Sequence, residues 1–184
     1  MVSYYAVVPK AISDEDIERI KKIISSKELS KGSLKGDRRL DLKRRNSEIY
    51  FFSPDEDLWL YTIIGSIASS ANKFFNFDIS SVEDVQYTEY KDEYKGFYDW
   101  HIDSYLDADN PLSDRKLSVS LQLSDSDEYE GCNLELKRQG FDKKEVREKG
   151  TAIVFPSFLE HRVTSVTTGT RKCLVSWIQG AKFR

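Results

Sequence analysis

The sequence predicts an α+β fold that is mainly β, a strand-rich sandwich or barrel preceded by two helices that pack on one sheet. Three observations carry that expectation. Two stretches within the first eighty residues place apolar side chains every three or four positions. Beyond residue 80 this period gives way to alternation, in short runs separated by turn residues. No internal repeat or low-complexity tract interrupts the order. Helices leading into a run of alternating strands form a layer laid on antiparallel sheet.

Taken in order, "YYAVV" (4–8) reads as a short strand. Ser13, with Asp16 three residues on, has the form of a capping box, and Ile17, Ile20 and Ile24 then fall on one helical face. "SKELSKGSLKGDRR" has glycine, charge and no period, so it reads as a loop. "EIYFF" (48–52) is a strand candidate. Ser53-Pro54-Asp55-Glu56 offers a cap, a proline at the first helical position and an acid closing the box, which predicts a helix over 54–75. Its buried stripe is Leu60, Ile63, Ile64, Ile67, Ala71 and Phe74. The later strands are "VEDVQYTEY", "KLSVSLQLS", "CNLELKR", "TAIVF", "HRVTSVT" and "RKCLVSW". In "KLSVSLQLS", Leu117, Val119, Leu121 and Leu123 share a face that packs on something apolar, while Ser118, Ser120 and Gln122 share the other. By pattern alone that second face reads as solvent-exposed rather than as the wall of a polar cavity.

A chain of 184 residues is most simply one domain, with residues 1–80 as helical support and 81–180 as β core. Its hydrophobic content of 39% allows a real core. A net charge of −3, with both signs mixed, gives no field to draw in a nucleic-acid backbone. "KGDRRLDLKRR" (35–45) is the one basic concentration; it reads as a solvated loop, or as a holder for an acidic or phosphate-bearing substrate. Two cysteines without zinc-type spacing fit reduced thiols. No run reaches the roughly 18 apolar residues of a membrane span, and the N-terminus lacks a signal peptide's pattern. A soluble, cytoplasmic protein is expected.

"YDWHIDSYL" (98–106) sets His101 two residues before Asp103, and residues i and i+2 of a strand share a face. His161 is the only other histidine in the chain. Two histidines and a carboxylate on one side of a metal make the facial triad of non-haem iron(II) oxygenases, which leaves coordination positions open. An H-x-D pair alone is weak support. Arg171 lies ten residues past His161, across a turn where Gly169 supplies positive φ, so a hairpin would return it toward the same cavity.

Three stretches, "YKDEYKGFYDWHID", "RKLSVSLQLSDSDEYEGCNLEL" and "GTAIVFPSFLEHRVTSVTTGTRKCLVSWIQG", carry a resemblance. Over roughly residues 85–180 the chain resembles the Fe(II)- and 2-oxoglutarate-dependent dioxygenases of the prolyl-4-hydroxylase-like group that contains the PKHD-type hydroxylases. The resemblance implies a double-stranded β-helix, or jelly-roll, core. It also implies His101, Asp103 and His161 as iron ligands and catalytic centre, and Arg171 as partner of the cosubstrate's far carboxylate. Tyr90 and Gln122 would be further cosubstrate contacts. Fe(II), 2-oxoglutarate and O2 are the implied cofactor set, with ascorbate as reductant. The implied reaction hydroxylates an unactivated C–H bond, on a prolyl or other amino-acid side chain, and releases succinate and CO2. Peptide, free amino acid and other small molecule all stay open as substrate, and the acidic run "SDSDEYEG" (124–131) and the basic loop are candidate rims of its entrance. Nucleobase demethylation is disfavoured, because no base-stacking motif or broad basic surface is present.

Two departures stand out. Gly131-Cys132 occupies the place of a frequent Gly-Gly, which questions any backbone conformation that needs glycine second and puts a thiol near an oxidising metal. The C-terminal extension of longer PKHD-type relatives is not represented after "WIQG". A noncatalytic jelly-roll binding module, or a metal held only for structure, are the alternatives; the intact set of His101, Asp103, His161 and Arg171 argues against a retired site.

Overall fold

In the computed structural model, which describes residues 4–33, 41–104, 113–137 and 146–183, helix α1 (Asp14–Ile24) starts where its capping pattern predicts. The Ser13 hydroxyl accepts from the Asp16 amide at 3.1 Å and donates to the Asp16 carboxylate at 2.7 Å. Ile17, Ile20 and Ile24 are buried as expected. Helix α2 (Leu58–Phe75) begins four residues later than expected, after Asp57, which makes no side-chain cap bond. The Ser53-Pro54-Asp55-Glu56 segment forms a turn instead, closed by the Asp57 amide on the Ser53 carbonyl at 2.8 Å. Tyr61 explains the delay: its hydroxyl donates to the Phe52 carbonyl at 2.9 Å, tying the first helical turn back to the strand end. Leu60, Ile64, Ile67 and Ala71 are buried, joined by Tyr61 and Ala68, but Phe74 is 58% exposed, and its neighbour Phe75 packs against the core in its place.

Two antiparallel sheets face each other. The larger contains β1 (Ala6–Val8), β2 (Ser30–Lys31), β4 (Glu48–Phe51), β5 (Ser81–Lys91), β7 (Ser113–Gln122), β10 (Ala152–Pro156) and β12 (Val166–Ala181) in the order β1-β10-β7-β12-β5-β4-β2. The smaller runs β3-β6-β11-β9, from β3 (Arg45–Asn46), β6 (Phe97–His101), β9 (Leu134–Leu136) and β11 (His161–Val163), while β8 (Tyr129–Gly131) pairs with β12. This is a jelly-roll core, mostly β, with its helices on one sheet. The expected loop at 26–39 contains β2 within its described part, and β6 arises where no strand period was visible.

Leu117, Val119 and Leu121 of β7, Leu174 and Ile178 of β12, and Val85 and Tyr87 of β5 point outward into a core completed by both helices. The opposite face of the same strands looks onto the smaller sheet. Ser118, Ser120 and Gln122 are therefore buried, not solvent-exposed as pattern alone suggested. A second sheet covers them, and alternation along one strand cannot report a second layer.

The expected hairpin between His161 and Arg171 is absent. β11 belongs to the smaller sheet and β12 to the larger, so the chain changes sheets at residues 164–165. Gly169 does have positive φ, at +75°, but inside β12, where a side chain would collide with the Glu128 carbonyl. Arg171 reaches the cavity because the two sheets face each other. Among the described residues, no helix is long and apolar enough to cross a membrane.

Candidate active site

A cavity of about 840 Å³ lies between the sheets, lined by His101, Asp103, Ser118, Ser120, His161 and Arg171 among others. His101 is the last residue of β6, His161 the first of β11, and the two are register partners. Asp103 is not on the strand, as expected, but just past it. Its amide and that of Ser104 both donate to the Ser157 carbonyl at 2.9 Å, which bends the chain and turns the carboxylate inward.

The ligand-type atoms of His101, Asp103 and His161 all lie within 4.8 Å of one another. His101 Nε2 is 3.6 Å from Asp103 Oδ1, and His161 Nε2 is 3.4 Å from Asp103 Oδ2. Each imidazole also has Nδ1 on a main-chain carbonyl, Asp99 at 2.7 Å for His101 and Leu159 at 2.9 Å for His161. A carbonyl only accepts, so Nδ1 carries a proton in both rings; His161, when protonated, also donates from Nε2 to Asp103, and each neutral ring keeps its lone pair on Nε2. That is the tautomer a metal needs. Tyr98 stacks on His101 with centroids 3.6 Å apart, and Phe155 meets His161 edge-on at 4.8 Å.

Burial and the neighbouring His161 push His101 down to about 4, outweighing the pull of Asp103. For His161 burial acts in the same direction, but the Asp103 charge and hydrogen bond win and hold it above the ordinary histidine value. Burial alone would raise Asp103; the two imidazoles and the Ser118 hydroxyl, which donates at 2.7 Å, hold it well below the usual carboxylate range instead. The carboxylate is ready to ligate. Ser118 also contacts the Ser157 hydroxyl at 3.0 Å, so the bend and β7 are joined behind Asp103.

Arg171 is 1% exposed. Its Nε donates to the Gln122 carboxamide oxygen at 3.0 Å and its Nη2 to the Ser120 hydroxyl at 3.3 Å. Among the described residues no carboxylate pairs with it. Burying a guanidinium among neutral partners is costly, and an anionic ligand would offset that cost. Tyr90, 2% exposed, lies with its ring centroid 5.8 Å from the Arg171 guanidinium carbon. Gln122 touches Arg171 itself, so it orients the arginine. Cys132 adopts φ +49°, the left-handed conformation that glycine takes readily, so the cysteine accepts the backbone its position demands. Burial pushes its thiol up to about 11 despite the nearby Arg171, which keeps it protonated and slow to oxidise.

The model of the 2OG-Fe(II) oxygenase superfamily matches residues 85–179, just over half of the chain, a span that includes His101, Asp103, His161 and Arg171. The chain belongs to the 2OG-Fe(II) oxygenase superfamily. Membership implies Fe(II), 2-oxoglutarate and O2 as the cofactor set, and the nitrogen and oxygen donors with fixed tautomers fit such a metal. A PKHD-type hydroxylase of Synechococcus sp. (strain CC9605) is 41% identical over 86 residues, covering 45% of this chain and 36% of that relative. The chain thus spans little more than a third of the length of that relative and of a second PKHD-type hydroxylase, from Colwellia psychrerythraea. Among solved superfamily structures, the viral collagen prolyl hydroxylase of Paramecium bursaria Chlorella virus-1, with 2-oxoglutarate, superposes with a TM-score of 0.68 at 23% identity and 97% coverage of both chains. The prolyl hydroxylase of Trichoplax adhaerens, in complex with a hypoxia inducible factor peptide, gives 0.74 at 17% identity, covering 95% of this chain and 83% of that one. At these identities the likeness concerns the fold.

Sequence reasoning did not single out Ser118 as a partner of Asp103, although alternation put it on the right face. It also passed over Tyr98 and Phe155, which line the same cavity; Arg45, the last residue of the basic stretch offered as a holder for an acidic substrate, lines it too. The acidic run does not rim it: Asp125 and Ser126 line a separate depression with Lys10, Asp14 and Lys149. Of the basic stretch, 35–40 lie outside the described residues.

Proposed function

We propose that this chain is a single Fe(II)- and 2-oxoglutarate-dependent dioxygenase domain, residues 1–184, that hydroxylates an unactivated C–H bond of a prolyl or other amino-acid side chain. The observation that carries the reading is the convergence of His101, Asp103 and His161 beside a buried Arg171 with no anionic partner among the described residues. The names of its relatives, a PKHD-type hydroxylase and two prolyl hydroxylases, support an amino-acid substrate.

In this reading the three side chains hold iron through two Nε2 atoms and one carboxylate oxygen, and Ser118 fixes the carboxylate rotamer. Arg171, aimed by Gln122 and Ser120, grips the far carboxylate of 2-oxoglutarate with a planar fork that never loses its proton. Tyr90 walls the same pocket. Bound iron and cosubstrate supply the oxidising chemistry, 2-oxoglutarate leaving as succinate and CO2 while one oxygen atom of O2 goes to the substrate. The protein orients these parts and excludes water. A cytoplasmic location belongs to the same reading, supported by two buried free cysteines.

Adding Fe(II) and 2-oxoglutarate anaerobically tests it: a visible metal-to-ligand charge-transfer band is expected, followed in air, with ascorbate present, by substrate-stimulated succinate release. A protein that binds neither is a binding module. Metal uptake without decarboxylation would mean that the ion is structural.

A further inference from the structure

Among the described residues three arginines line the cavity, Arg45, Arg115 and Arg171. Arg115 is neutralised, its Nε and Nη2 donating to both carboxylate oxygens of Glu83 at 2.7 and 2.6 Å. Arg171 is spoken for by the cosubstrate. Arg45 is left, 7% exposed, and among the described residues no carboxylate pairs with it. Its Nε donates to the Ser47 hydroxyl at 2.9 Å and its Nη1 to the Ser33 carbonyl at 3.2 Å. Two of the five guanidinium N–H groups are thus used, both on neutral acceptors.

The seat of this side chain is built for it. A β-carbon on Gly32 would lie 2.6 Å from Arg45 Nε and 2.5 Å from Ser47 Oγ, so any larger residue there would displace the guanidinium. The Gly32 amide donates to the Ser47 carbonyl at 2.8 Å, holding the two segments together. On its other side the guanidinium carbon lies 4.8 Å from the Tyr98 ring, which stacks on His101 at 3.6 Å. Arg45 is therefore one aromatic ring away from a residue of the triad. A purely structural arginine in such a place is expected to carry a counter-ion, as Arg115 does, because a buried cation among neutral groups is costly.

We propose that Arg45 is the substrate's anchor, and that the substrate carries a carboxylate which Arg45 grips so that a neighbouring C–H bond lies at the metal site. This rests on the oxygenase reading above and narrows its substrate class. A single unpaired guanidinium matches one negative charge through two parallel hydrogen bonds. A phosphate dianion would be only half compensated by one guanidinium. The carboxylate has two sources, the α-carboxylate of a free amino acid or an acidic side chain beside the target residue in a peptide.

Binding of two acid–amide pairs to the whole chain decides the matter, measured by calorimetry both with Fe(II) and 2-oxoglutarate under nitrogen and without metal. The pairs are L-proline with L-prolinamide, and the blocked peptides Ac-Pro-Glu-NH2 with Ac-Pro-Gln-NH2. In the wild-type protein one acid is expected to bind about tenfold or more tightly than its amide. The pair that discriminates identifies the source. Arg45→Gln should abolish that preference while keeping the charge-transfer band and the 2-oxoglutarate requirement, and Arg45→Lys should restore part of it. If neither acid outbinds its amide in the wild-type protein, the carboxylate assignment is wrong, and this result needs no variant to fold. If Arg45→Gln instead raises the 2-oxoglutarate requirement, Arg45 serves the cosubstrate and the proposal fails. Loss of the band in the wild-type protein sinks the oxygenase reading separately, and the metal-free acid–amide comparison still judges Arg45.

Discussion

Strand β7 has two faces with opposite demands. Leu117, Val119 and Leu121 are 0–1% exposed and meet only other apolar groups. One residue along, about 3.3 Å of strand away, Ser118, Ser120 and Gln122 are buried too, yet each spends its polar atoms on a functional side chain: Ser118 on Asp103, Ser120 and Gln122 on Arg171. The outer face stores stability that any well-shaped apolar residue could supply. The inner face gives up apolar burial to hold charges in place. Depth of burial therefore does not separate structural from functional positions in this protein; the identity of the partner does.

Substitutions on the two faces should separate these roles. The largest effect is expected at the triad: His101→Ala or Asp103→Ala should abolish succinate release and the charge-transfer band, with a wild-type circular dichroism spectrum and a cooperative melt. Full turnover by either variant would break the distinction at its centre. On the outer face, Leu121→Ala should cost about 2–5 kcal/mol of unfolding free energy in urea titration, with iron affinity unchanged in the fraction that remains folded. Ser118→Ala is the sharper probe, since it sits on the same strand but behind the metal ligand. Iron affinity should fall by about 10- to 100-fold, as for other lost partners of metal ligands, with little change in stability. Were Ser118→Ala to lose stability like Leu121→Ala and keep its iron, the inner face would be ordinary core. The smallest effect belongs to Ser13→Ala, far from both, where the lost cap should cost about 1 kcal/mol with no change in turnover.

The same contrast explains what was legible in the sequence. The outer face was readable because a core writes itself in period: the isoleucines of α1 and the leucines of β7 declare their direction locally. The triad was readable for another reason: H-x-D and the one remaining histidine suggested it, and the resemblance to the dioxygenases implied it. What alternation could not convey was the second sheet. It hid the serines of β7, moved β11 and β12 into different layers, and put Asp103 in a bend held by Ser157, a residue more than fifty positions away. Arg45 could not be told from its basic neighbours on the same grounds. Its seat is assembled from Gly32, Ser33, Ser47 and Tyr98, and the stretch that contains it reads as solvated charge first and as a holder for an acidic substrate second.

Both histidines are leashed by carbonyls two positions upstream in their own segments, Asp99 and Leu159. The rings are aimed by nearby main chain, within β6 for His101 and in the turn before β11 for His161, before any ion arrives, so little rotational freedom is left to freeze when one does. Stripping the ion with a chelator should leave the socket standing, and recharging it should run at the pace of ion delivery, with no refolding phase.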